Sequence, residues 1–168
     1  MNVEQRLKEL GLILPNPPQP AGNYQPWIFS GNLLFLSGQF PIENGASRYV
    51  GRVGAELTEA DGYAAARLAA SNVLAQIQAA LGGFDRLDHL VRVEGHIASA
   101  PDWNNAPKVL DGASDLFASV LGERGRHART AFTPPLLPLN LAVELVVVAA
   151  VNWTGHNQQN RNSSESYV

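Results

Sequence analysis

The run from residue 141 to residue 151 is apolar on both faces of any strand it could form, and it holds one carboxylate. Leu141, Val143, Leu145, Val147 and Ala149 share one side; Ala142, Glu144, Val146, Val148 and Ala150 share the other. A strand of this kind needs cover on both faces, or it leaves a large exposed apolar patch. Glu144 tightens the constraint. Burying an ionised carboxylate costs on the order of several kcal/mol unless a cation or several donors meet it. Arg129, in the short β-prone segment upstream, is the expected cation.

The rest of the chain supplies cover for one face. Residues 58–61, Thr-Glu-Ala-Asp, resemble a capping box with Asp in the usual Glu position. They open an alanine-rich helix to about Leu81, with Ala66, Ala70, Val73, Ile77 and Leu81 along one side and Gly82-Gly83 as its stop. A second helix is expected from about Asn105 to Leu121, with Pro107 in its first turn and Ala106, Leu110, Ala113, Phe117 and Leu121 facing inward. Strands are expected at 24–29, 32–40, 47–53 and 87–98, with the first two joined through Ser30-Gly31-Asn32. In the last, strict alternation puts Val91, Val93, Gly95 and Ile97 opposite Leu90, Arg92, Glu94 and His96.

With strands near Arg129 and at 141–151, this makes an α+β domain: a mixed six-stranded sheet with two helices on one face. Two helices leave the other face open, and self-association with closed symmetry is the economical cover. Residues 1–19 read as an arm with a short helix and a proline-rich linker, 20–153 as the single domain, and 154–168 as a polar, disordered tail. One domain is what 168 residues suit.

Composition removes several function classes. A net charge of -3 argues against a protein built to grip phosphate backbones, so no nucleic-acid partner is expected. Without cysteine there is no thiolate nucleophile and no sulfur-ligated zinc. No apolar run reaches the length of a membrane span, which points to a cytoplasmic protein with no membrane partner. The only lysines, Lys8 and Lys108, fall on exposed helix, so Schiff-base chemistry and pyridoxal phosphate are not expected. Glycine-rich nucleotide loops, zinc-binding helix motifs and the serine nucleophile elbow are absent, and His89, His96, His127 and His156 have no metal-ligand spacing.

Two groups remain. Arg129 offers a permanently charged planar fork for a carboxylate, and Glu144, 15 positions on, could place or deprotonate a water. A plain buried ion pair between them explains the same residues. Arg124, Arg126 and His127 extend a basic cluster that is equally a solvated loop. Gly38 in Ser37-Gly38-Gln39 marks either a bulge at a strand end or a close approach to the backbone. His96, beside Arg92 and Glu94, belongs either to the site or to a cross-strand polar network.

Gly22-Asn23-Tyr24, Leu36-Ser37-Gly38-Gln39, Arg129-Thr130-Ala131, Leu137-Pro138 and Val143-Glu144, in that order, resemble the reactive-intermediate deaminase family, also called RidA/YjgF or endoribonuclease L-PSP. The resemblance implies a chorismate-mutase-like fold, a homotrimer with sheets facing inward, and three clefts between subunits. It implies a cofactor-free hydrolytic deaminase of small 2-imino or enamine acids that releases a 2-keto acid and ammonia. Carried over by residue, Arg129 clamps the substrate carboxylate and Glu144 positions the water. Tyr24 lines the pocket, Gly38 offers backbone near the ligand, Gln39 is a further substrate-binding residue, and the backbone at Ala131 shares the carboxylate. Ala131 stands where the family often has Cys, Ser or Thr, and Pro107 where it has asparagine, which marks a divergent subgroup. A non-catalytic trimeric carboxylate binder and an endoribonuclease are the competing functions.

Overall fold

The structure, a computed structural model, describes residues 2–152. The expected tail and His156 lie outside the described residues. The elements are α1 (Val3–Glu9), β1 (Trp27–Ser30), β2 (Leu33–Gln39), β3 (Ile42–Glu43), β4 (Ala46–Ser47), α2 (Glu59–Leu81), β5 (Leu87–Ile97), α3 (Ala106–Leu121), β6 (Ala128–Phe132) and β7 (Val143–Val151). The fold is α+β. The main sheet has order β1-β2-β7-β5-β6, with β5 and β6 parallel and the other neighbours antiparallel. The two-sided strand β7 is therefore its centre, which is where a strand apolar on both sides belongs.

The helix signals act locally as expected. The Thr58 hydroxyl accepts the Asp61 N–H at 3.1 Å while the Asp61 carboxylate accepts the Thr58 N–H at 2.9 Å, and Gly82 ends α2 in the left-handed region at φ 70°. Asn2 and Gln5 form a second capping box that opens α1, whose Val3 and Leu7 are buried. Both long helices pack on one face of the sheet, against Leu34, Leu36, Val93, Val143, Leu145 and Val147.

Two glycines let α3 sit close on both sides. A Cβ at Gly112 would overlap the Tyr63 carbonyl oxygen of α2 and lie 2.9 Å from its carbon. A Cβ at Gly95 of β5 would lie 2.5 Å from Leu110 Cδ1.

Three details differ from the sequence reading. The main sheet has five strands, because residues 47–53 do not form the expected strand. They run irregularly, with Val50 bridged to Leu141 and Val53 to Leu57 and Ser99, while β3 and β4 form a separate ribbon. That ribbon turns at Asn44-Gly45, both at positive φ (52° and 77°), the turn chemistry that short hairpins demand. Strict alternation in β5 also fails. Its pairing with β7 slips between Leu90 and Arg92, so Leu90 joins the core and Val91 turns out.

Among the described residues, nothing packs over the face away from the helices as α2 and α3 do over the other. Ile28, Phe35, Val148 and Arg92 form one row across it, and Glu144, His96 and Phe132 form another. Ile28 is 61% exposed and Phe132 is 44% exposed. Among the described residues, no helix is long and apolar enough to cross a membrane.

Candidate functional site

Glu144 lies in β7 on the open face, where β2 ends. The β2–β7 register shifts between Leu36 and Gln39, and this bulge puts Gly38 against the Glu144 side chain. A Cβ at Gly38 would overlap Glu144 Oε1 and lie 2.9 Å from its carboxyl carbon. Both readings of Gly38 hold: it is a bulge, and something approaches it.

The space beside them is a cavity of about 340 Å³ whose lining includes Tyr24, Gly38, Gln39 and Glu144. Burial in this apolar setting pushes the Glu144 carboxyl above its ordinary pKa of 4.5, and the neighbouring His96 partly opposes that rise. Gln39 is 5% exposed and donates its amide to the Ser37 carbonyl at 3.0 Å. Tyr24 is half exposed, and its hydroxyl accepts the Ala21 N–H at 3.1 Å.

Arg129 is not the partner of Glu144 within the chain, which corrects the expected ion pair. Arg129 pairs with Val93 in register, on the helix face, whereas Glu144 shares its row with His96 and Phe132 on the open face. Three residues along β6 and two strands across put their Cα atoms about 14 Å apart at standard strand spacings. The Arg129 guanidinium instead meets α3. Its Nη2 lies 2.9 Å from Asp111 Oδ1 and 3.4 Å from the Pro107 carbonyl, and its Nη1 donates to Ser114 Oγ at 3.1 Å.

Ser114 in turn bonds His127 Nε2 at 3.1 Å, and His127 Nδ1 lies 2.6 Å from the Gly125 carbonyl. With Nδ1–H donating to that carbonyl, Nε2 is left to accept from the serine, whose oxygen is then free to take the arginine donor. Burial above all, then the Arg129 charge, lowers the His127 pKa, against the Gly125 hydrogen bond. Ala131 follows Arg129 on the same face, beside Gly95.

The rest of the basic cluster is used locally. Arg124 donates to the Phe84 and Leu87 carbonyls at 3.3 and 3.0 Å, and Arg126 pairs with Glu123 at 2.9 Å. His96 stacks on Phe132 with ring centroids 5.0 Å apart, while Arg92 bridges Glu94 at 2.8 Å and reaches Thr130 at 3.3 Å. The polar network thus holds Arg92, Glu94 and Thr130, and His96 belongs with Glu144. The sequence reading did not include Asp111 and Ser114. Their three-residue spacing on the polar side of α3 was the available signal.

Fold and site define a class: a small α+β protein with helices on one sheet face, and a carboxylate in an apolar cavity at the end of a central strand. The chain matches a family model described as "YjgF/chorismate_mutase-like, putative endoribonuclease" over residues 4–151. It belongs to that family.

It is 41% identical to Protein TCP17 of Trypanosoma cruzi over 151 residues, 89% of this chain and 94% of that one. A crystallised "putative endoribonuclease" of Shewanella oneidensis is 41% identical with a TM-score of 0.87, over 89% of this chain and 99% of that one. The fold recurs in E. coli TdcF, solved with bound serine, at 21% identity and a TM-score of 0.60, over 80% and 93% of the two chains.

Proposed function

We propose that this protein is a hydrolytic deaminase of 2-imino and enamine acids, working in a cleft formed between copies of the chain. The observation that carries the reading is Glu144: a carboxylate against Gly38, in an apolar cavity, with its proton affinity raised by burial. Such a group is poised to accept a proton from water near it. In the reaction, water adds to the imine carbon, the carbon–nitrogen bond breaks, and ammonia leaves with the transferred protons, giving the 2-keto acid. Enamine substrates first tautomerise to the imine.

Arg129 supplies the carboxylate clamp, and the clamp comes from a neighbouring copy because the two residues occupy opposite faces of one sheet. The uncovered face and the family's trimeric habit support that assembly. Asp111 and Ser114 hold the guanidinium ready, and Ala131 follows on the same strand face. Asp111 also competes with any substrate carboxylate, the observation that favours the second reading, a carboxylate binder without turnover. RNA cleavage has less support, since Arg124 and Arg126 are engaged with carbonyls and Glu123.

The test generates 2-iminopropanoate with an amino-acid oxidase, traps the remainder with semicarbazide, and compares wild type with Arg129→Ala and Glu144→Gln. Wild type accelerates keto-acid release and both variants lose it. Co-expression of the two variants restores part of the activity through mixed interfaces. No acceleration by wild type over buffer, across several imino acids, refutes hydrolysis; Arg129-dependent binding of 2-ketobutyrate without turnover then supports the binder.

A further inference from the structure

The cavity beside Glu144 has a composition that a substrate side chain would have to match. Pro18, Pro20, Pro26, Phe40, Ile42 and Leu139 supply its apolar lining, and Glu144 is the only charged one among the described residues that line it. Three polar side chains of the wall donate to backbone carbonyls. The Ser37 hydroxyl donates to the Gln25 carbonyl at 2.7 Å, Gln39 to Ser37, and Gln76 to the Pro18 carbonyl at 2.8 Å. The Tyr24 hydroxyl takes the Ala21 N–H. A polar substrate group would lose its water partners here and find few replacements.

The volume points the same way. At about 30 Å³ per water in the liquid, 340 Å³ corresponds to about eleven waters. On one chain alone, the methyl group of the smallest 2-imino acid fills little of that space.

Resting on the imine-hydrolysis reading above, we propose that the protein prefers 2-imino acids with a bulky apolar side chain, and that the proline-bearing arm at residues 18–21 sets this preference. The arm is a wall with little freedom to lose, because proline fixes its own φ and restricts the residue before it. It is fastened from α2 by Gln76. That residue is 1% exposed, and its Oε1 has no hydrogen-bond partner among the described residues. Leaving a buried amide oxygen unpaired is unfavourable, so the Gln76–Pro18 bond is retained against a cost.

Each methylene the cavity takes from water raises kcat/KM about fourfold. The experiment measures kcat/KM for imines made from alanine, leucine, methionine, phenylalanine and glutamine, with wild type, Gln76→Leu and Pro18→Gly. Wild type favours the leucine, methionine and phenylalanine imines over the alanine imine by more than about tenfold. It disfavours the glutamine imine against the similarly sized methionine imine. Both variants compress these ratios.

Dissociation constants for 2-oxobutyrate, 4-methyl-2-oxopentanoate, phenylpyruvate and 2-oxoglutaramate, measured by calorimetry, give the same ranking without requiring turnover. Equal handling of the alanine and leucine imines, or of the glutamine and methionine imines, overturns the proposal while leaving hydrolysis intact. If no imine is hydrolysed, the hydrolytic reading fails. The keto-acid series then decides the side-chain preference, and a flat or absent ranking overturns it.

Discussion

Replacing Gly38 with alanine should separate the chemistry of the site from the stability of the fold. Gly38 is not among the residues at positive φ, so alanine can adopt its backbone without strain. The added methyl would overlap Glu144 Oε1 and lie 2.9 Å from the carboxyl carbon, where ordinary contact is about 3.5–4.0 Å. The carboxyl group must therefore withdraw by about 1 Å, and a displacement of that size at a reacting group can cost about 100-fold in rate. Overpacking costs about 1–3 kcal/mol, at the low end when the obstructing atom ends a flexible side chain. The reduced entropy of the unfolded chain offsets about 0.4–1 kcal/mol. The net change is a loss of about 0.5 kcal/mol or less, or at most about 1–2 °C in Tm for a chain of this length. Activity depending on ionised Glu144 falls away as pH drops through its raised pKa. A carboxylate pushed toward water titrates lower, so the acid limb of the variant moves to lower pH. Imine hydrolysis against pH, with thermal unfolding of the same samples, reads all three effects. Near-wild-type kcat/KM with an unchanged acid limb refutes the placement of Glu144; collapse of both rate and Tm refutes the claim that the contact serves the site alone.

Glu144→Gln should raise Tm at pH 7–8 and leave it unchanged near pH 4. The folded-state pKa is raised, so the penalty for the ionised form is absent below the ordinary value of 4.5 and grows with pH; differential scanning fluorimetry across pH checks the crossover. His127→Gln should flatten the loss of stability as pH falls below about 6.5, because the unfolded chain takes up that proton before the buried imidazole does; urea midpoints between pH 5 and 7.5 test it. Asp111→Asn should tighten 2-keto-acid binding by up to about fivefold by removing the internal carboxylate from Arg129, as measured by calorimetry. Gly112→Ala should cost about 2 kcal/mol net of the better helix propensity of alanine, seen as a lower urea midpoint.

Local chemistry was readable in the sequence where one segment contains the whole cause. Thr58 and Asp61 cap α2 because each reaches the other's backbone, and Gly82 ends it because the next conformation is left-handed. The two-sided apolar pattern marked residues 141–151 as a buried strand, and the structure puts that strand, β7, in the middle of the main sheet. What a strand pattern cannot contain is an extra residue. The slip at Val91 reverses parity within β5, and Asn44-Gly45 turns a ribbon that periodicity over so few residues cannot reveal. The site residues, as a set, were named through the family resemblance and not through any local pattern. Tyr24, Gly38, Gln39 and Glu144 converge, but the partner of Arg129 depends on which face β6 presents after pairing parallel to β5. Asp111 lies on a different element, and no spacing between Arg129 and Glu144 foretells it.

Gly112 has a role beyond packing density. It stands beside Asp111 and two residues before Ser114, the two side chains that hold Arg129, and its bare Cα rests on the Tyr63 carbonyl of α2. Two residues before Gly112, Leu110 rests on Gly95 of the sheet. Within three consecutive residues α3 is thus gauged from two directions, like a workpiece between two stops. The aim of the guanidinium is set by a thickness in the core, so a side chain added at residue 112 would act on the site from the far side of the helix, without touching any residue in it.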